Sequence, residues 1–266
     1  MTQKQAIANF FSDYSKFLNI DLSVSLLNKS NKYFGRNIDL IIIFQDTLYF
    51  LLKIRDSGSN ADRRMLIQEL RNTITQYTKI HNSEHLYIDS QKIYTTIKND
   101  DFYLHAIFNE SFIKYMDAYY ISYRDFFQQI KKISLNDDVQ NKFEINENNN
   151  TILVQAILEV NNALAHILAA IYKNDKDSLR NIDKAVNHLY RGSIDHYKML
   201  IRLIYIEKNT TIDSKITEKF KELRFKEFEM IGESINKKVF LHDGKKDNIL
   251  AHYKETFNEM LMKTSD

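Results

Sequence analysis

The chain has 266 residues, 37 Lys plus Arg against 35 Asp plus Glu, 44% hydrophobic and 27% charged residues. That composition belongs to a folded globular protein, and the net charge of +2 provides no field that would by itself attract nucleic acid. Cysteine is absent, which excludes disulfides, thiolate metal sites and a cysteine nucleophile. Proline is also absent and glycine occurs five times, so few turns are available and long helices are expected.

Residues 2–19 carry Ile7, Phe10, Phe11, Tyr14 and Phe17 at helical spacing, which predicts an amphipathic helix. The N-terminus has no long apolar run of a secretory signal, and the apolar stretches further on are broken by charged and polar residues. The cytoplasm is therefore the expected compartment, with no membrane span. Residues 38–54, IDLIIIFQDTLYFLLKI, are apolar on all sides and rich in β-branched and aromatic residues. Two strands joined by Gln45-Asp46-Thr47 fit this segment and are favoured; a fully buried helix fits as well.

Asp56–Asp62 reads as a loop, residues 62–81 as a helix through Leu66, Leu70, Ile74, Tyr77 and Ile80, and residues 85–97 have strand-like composition. Residues 110–133 predict an aromatic-rich helix. There Tyr115, Tyr119, Tyr120, Tyr123, Phe126 and Phe127 stand beside Lys114 and Arg124. Such aromatics stack bases in some proteins, but at helical spacing they more often fill a core.

Residues 135–150 are polar and Asn-rich and read as a linker. Helices follow at about 151–173, 176–208, 213–239 and 246–263, with Asp213 and Asp247 as N-caps and Gly244 as a stop. The expected organisation is a 1–134 N-terminal α+β domain, a 135–150 linker and a 151–266 four-helix bundle. The expected fold class is mainly α, with a small β element in the N-terminal part.

Two segments resemble known families. RNIDLIIIFQDTLYFLLKIRDSGSNADRRMLIQELRNTITQY, residues 36–77, is similar to the core of the restriction-endonuclease-like nucleases. Asp39 stands where that family's first metal carboxylate stands, and Gln68 and Tyr77 lie on the helix that follows. Lys53-Ile54-Arg55 replaces the family's acidic-x-Lys triplet and puts positive charge beside the cation site. A degenerate scaffold without Mg²⁺ is implied, unless Glu69 supplies the missing oxygen.

The second segment lies within residues 151–206. NNALAHILAAIYKNDKDSLRNIDKAVNHLYRGSIDHYKMLI resembles HEPN-type helical bundles, many of which carry Arg, four to six residues, then His. Arg191-Gly192-Ser193-Ile194-Asp195-His196 fits with a spacer of four. The resemblance implies RNA binding or metal-independent RNA cleavage, a homodimer that pools two copies of the pair, and a role in host defence or toxin-like action. His supplies general acid–base chemistry near neutrality and Arg a forked contact to phosphate.

On a helix, Lys184, His188, Arg191, Asp195, Lys198 and Arg202 fall within about 80° and form one polar stripe, with His196 about 140° from Arg191. Arg191 and His196 therefore need a neighbouring helix or a second subunit to converge. His188, one turn from Arg191, is a second candidate for the same site. Glu159, Asn162 and His166 share a helix face. Lys219, Lys221, Arg224 and Lys226 interleave with Glu218, Glu222, Glu227 and Glu229, which reads as a salt-bridged exposed helix. No phosphate loop, zinc-protease or nucleophile-elbow motif is present, and no cofactor or bound metal is expected. The rival reading is a non-catalytic helical scaffold that binds or inhibits a protein partner.

Overall fold

The structure, a computed structural model, describes residues 1–27, 38–53, 60–81, 106–133, 151–172, 176–208, 214–237 and 243–263. Eight helices account for 97% of the described residues, and no strand occurs among them. They are α1 (Gln3–Leu27), α2 (Ile38–Lys53), α3 (Asn60–His81), α4 (Glu110–Ile133), α5 (Thr151–Tyr172), α6 (Lys176–Lys208), α7 (Ser214–Lys237) and α8 (Asp243–Lys263). None is long and apolar enough to cross a membrane.

The chain divides into two compact units. One comprises residues 1–117 and 160–186, the other residues 118–159 and 187–266. Helices α4, α5 and α6 contribute to both, so the units interleave along the chain. The expected linker at 135–150 and the strand-like segment at 85–97 lie outside the described residues.

In the first unit, α1 opens with reciprocal capping. The Gln5 amide donates to Thr2 Oγ1 at 3.2 Å, and the Thr2 amide donates to Gln5 Oε1 at 3.0 Å. Phe10, Phe11, Tyr14 and Phe17 are buried on its inner face. Phe44 of α2 meets Phe10, Tyr14 and Phe17 at ring separations of 5.6, 5.1 and 5.1 Å. Buried Asp13 is held by Arg71 of α3 at 2.8 Å, and the Tyr14 hydroxyl donates to the Asn161 carbonyl at 2.8 Å.

The favoured hairpin at 38–54 is replaced by the continuous helix α2. Leu40, Ile41, Phe44, Leu48 and Leu51 are buried at three- and four-residue steps against α1 and α3. Burial on a helical period outweighs the local strand preference of β-branched residues, which is mainly a preference for fitting a sheet surface. Asp39 in the first turn and Lys53 in the last also suit the helix dipole. Fourteen residues apart on one helix, they are separated by about 21 Å along its axis. The small β element is thus absent from this segment, and with it goes the strand pair on which the nuclease resemblance rested. Lys53 instead pairs with Asp117 at 2.7 Å, and Tyr77 is buried beside Asp21. Arg55 lies outside the described residues.

In the second unit, Leu189, Tyr197, Leu200 and Ile204 of α6 and Tyr253, Phe257 and Met260 of α8 are buried, and the Tyr197 and Phe257 rings meet at 5.7 Å. Helix α8 begins four residues before the expected Asp247 cap, and Gly244 lies in its first turn rather than before it. The site of a Gly244 Cβ is open space, so nothing there forces a stop.

The α7 charges do more than coat a surface. Lys221 and Glu218 form an exposed pair, but Glu227 is buried and accepts from Lys198 at 2.6 Å, from Tyr253 Oη at 2.5 Å and from Arg224. One carboxylate thereby ties α6, α7 and α8 together. Burial and the neighbouring carboxylate hold the Tyr253 hydroxyl above its usual range, so it remains the donor. Glu227→Leu leaves Lys198 and Arg224 without their shared anion, and a loss of about 3 kcal/mol is expected in chemical denaturation. A change below about 0.5 kcal/mol would mean that the cluster does not hold the helices.

Candidate functional site

The candidate residues meet in the second unit through a glycine. A Cβ built on Gly192 would lie 2.4 Å from Tyr119 Cε2 and 3.1 Å from Glu159 Cβ. Only the missing side chain lets α6 approach the Tyr119 ring of α4 and the Glu159 stem of α5 this closely. The ring itself is pinned, because the Tyr119 hydroxyl donates to the Ala156 carbonyl at 2.8 Å. Burial raises the Tyr119 hydroxyl well above its usual range, so it stays protonated and keeps that bond.

This approach places the Glu159 carboxylate against the polar stripe of α6. Its Oε2 lies 2.6 Å from His188 Nδ1, and its Oε1 lies 3.4 Å from an Arg191 terminal nitrogen. The Glu159 side chain is 14% exposed, His188 21% and Arg191 63%. His188 and Arg191 are thus two neighbours on one helix face, aligned by one half-buried anion, with the guanidinium reaching into solvent. Such an arrangement can fix one imidazole tautomer and hold an oxyanion beside it.

His196 is placed elsewhere. It is fully buried among Tyr119, Tyr123 and Phe126, with ring separations of 4.9, 5.9 and 5.4 Å. Ser122 Oγ donates its one proton to the Tyr119 carbonyl at 2.9 Å and lies 3.0 Å from His196 Nδ1. Nδ1 therefore carries the imidazole proton and donates to Ser122. Nε2 has no hydrogen-bond partner among the described residues. Burial lowers its pKa to about 3, so the ring is neutral at physiological pH. Arg191 and His196 make no contact with each other among the described residues, as the 140° separation on one helix anticipates. The structure instead joins His188 and Arg191.

Glu159 as the shared partner was not legible from the α6 spacing. Its signal was available: it is the only Asp, Glu, Lys or Arg of α5. A lone charge in an apolar helix needs a partner from another element. His166, two turns from Glu159 on α5, bonds Asn181 at 3.1 Å. The aromatic residues of α4 mostly fill the core, with Tyr115, Tyr119, Tyr123 and Phe126 buried and Phe127 exposed. Among the described residues no three His, Asp or Glu side chains are grouped to hold a metal ion. No family model, curated protein or solved structure matches the chain.

Two outcomes are expected. Gly192→Ala adds helix propensity of about 1 kcal/mol but drives a methyl into a pinned ring, so a net loss of at least about 1 kcal/mol is expected in denaturant melts. A gain in stability would show that the helices separate freely. His196 has a folded-state pKa below its unfolded value. Its contribution to stability is complete above about pH 6.5 and falls as the pH drops towards 3. Between pH 7 and pH 4 the loss is roughly 3 kcal/mol. His196→Leu should flatten that part of the stability-versus-pH curve; an unchanged slope would mean that the histidine takes up its proton as readily folded as unfolded.

Proposed function

We propose that this chain binds RNA and cleaves it without a divalent metal, using His188 and Arg191 aligned by Glu159. The observation that carries the reading is the convergence of His188 Nδ1 and the Arg191 guanidinium on one carboxylate at a partly exposed edge. Donation from Nδ1 to Glu159 makes Nε2 the basic nitrogen of His188. That nitrogen takes the proton of a ribose 2′-hydroxyl as the 2′-oxygen attacks the adjacent phosphorus; the bond from phosphorus to the 5′-oxygen breaks, leaving a 2′,3′-cyclic phosphate, and water protonates the departing 5′-oxygen. Arg191 neutralises the non-bridging oxygens with its fork, a task that a lysine point charge performs less well. The HEPN resemblance supports the RNA assignment, a two-protomer arrangement and a defence or toxin-like role. In this reading His196 keeps α4 and α6 packed, and the Arg191/His196 spacing marks the helix rather than the chemistry.

A non-catalytic interaction protein is the second reading. Phe225 and Phe228 of α7, 63% and 73% exposed, favour it because exposed aromatics often mark a protein contact.

The deciding experiment follows cleavage of a labelled single-stranded RNA in EDTA. Activity should persist, His188→Ala should lower the rate about 10²–10⁴-fold, and Arg191→Lys should also impair it. Glu159→Gln should reduce the rate while the protein stays folded by circular dichroism. Activity that disappears with EDTA and returns with Mg²⁺ would reject the mechanism. RNA assays unmoved by all three substitutions would give the interaction reading the lead.

A further inference from the structure

The polar stripe of α6 continues past the Glu159 cluster within the same unit. Arg202 stands 11 residues after Arg191. That places it about 16 Å further along the helix axis and about 20° around it. Helix α6 is unbroken from Lys176 to Lys208, so the helix itself fixes the spacing of the two arginines on one face.

The charges between them are already matched. The half-exposed Asp195 meets Lys198 at 3.1 Å, and Lys198 also meets buried Glu227 at 2.6 Å. Arg191 shares Glu159 with His188 and keeps its guanidinium in solvent. Arg202 is exposed as well, and it forms no ion pair among the described residues. A guanidinium that no carboxylate claims, in line with one that neutralises a phosphate, suits a second phosphate of the same strand. The span between them is longer than one nucleotide step, so that phosphate lies beyond the neighbours of the cleaved linkage.

Resting on the RNA-cleavage reading above, we infer that Arg202 is a further substrate-binding residue of that site, holding a backbone phosphate some nucleotides away from the cleaved one. The strand lies along α6, and single-stranded RNA is the substrate class, because an extended strand follows a straight helix face. The contact reads no base edge, so it adds affinity and a dependence on length rather than a sequence preference.

A dinucleoside monophosphate carries one phosphate and cannot occupy both arginines, whereas an octanucleotide can. Cleavage of the two in EDTA is compared for the parent chain, Arg202→Ala, Arg202→Lys and Lys254→Ala, which removes an exposed charge from α8 instead. Arg202→Ala should raise the octanucleotide KM about tenfold, with kcat, the dinucleotide rate and the melting temperature unchanged. Arg202→Lys should recover part of that loss, and Lys254→Ala should match the parent. Binding of a 2′-O-methyl octanucleotide, which lacks the attacking hydroxyl, is followed in parallel by fluorescence anisotropy. Its salt slope should fall by about 0.7 in Arg202→Ala, the share of one single-strand phosphate contact. The inference is overturned if Arg202→Ala leaves octanucleotide KM and binding unchanged, if it slows the dinucleotide equally, or if Lys254→Ala weakens binding as much. It is also overturned if the parent chain binds no octanucleotide, or binds a duplex of equal length more tightly. A parent chain that binds the octanucleotide through Arg202 but cleaves neither RNA would reject the catalytic reading and support the strand contact.

Discussion

The second unit depends on the absence of one methyl group. Gly192 lets the Tyr119 ring meet the α6 backbone at a distance that no Cβ tolerates, and the Glu159 stem at one that is tight for a Cβ. Everything at the candidate site follows from that contact. Tyr119 stays because its hydroxyl is anchored on Ala156, and Glu159 therefore stands where it can engage His188 and Arg191 together. The backbone carbonyl of the same residue, Tyr119, takes the Ser122 proton and so fixes how His196 is hydrogen-bonded. A single close approach thus separates two histidines into different environments. His188 sits at a wetted edge beside a carboxylate and a guanidinium, and His196 in a dry aromatic cage.

The same chain uses charge in two contrasting ways. Along α7, Glu218 and Lys221 sit in water and contribute little. Two turns later Glu227 gathers Lys198, Arg224 and Tyr253 in a buried cluster, where an unpaired group would be costly. In the first unit Asp13 plays a comparable part between α1 and α3 through Arg71. These carboxylates fix helix register in a chain whose cores are otherwise built from interchangeable Phe, Tyr, Ile and Leu. Apolar contacts supply most of the drive to fold, but being non-directional they specify geometry less sharply.

Most of the helical architecture was legible in the sequence. The segments 62–81, 110–133, 151–173, 176–208 and 213–239 have apolar residues on a 3.6-residue period, and α3 to α7 occupy them nearly end to end. Residues 38–54 were not legible, because a segment that is apolar on every side carries no period. Its type was decided by what covers it, and α1 and α3 cover a helix. Of the candidate site, the α6 stripe with His188 and Arg191 was readable, since one helix face is set by spacing alone.

What the sequence by itself determined is therefore whatever lies within a turn or two of helix: period, caps, stripes and the exclusion of cysteine and proline chemistry. Which histidine is buried and which carboxylate meets Arg191 were decided only by the tertiary structure. Glu159 lies 29 residues before His188, and Ser122 lies 74 before His196. Contacts over such separations depend on the rotation and spacing of packed helices. Here that spacing hangs on a glycine whose importance appears only once another helix is laid against it.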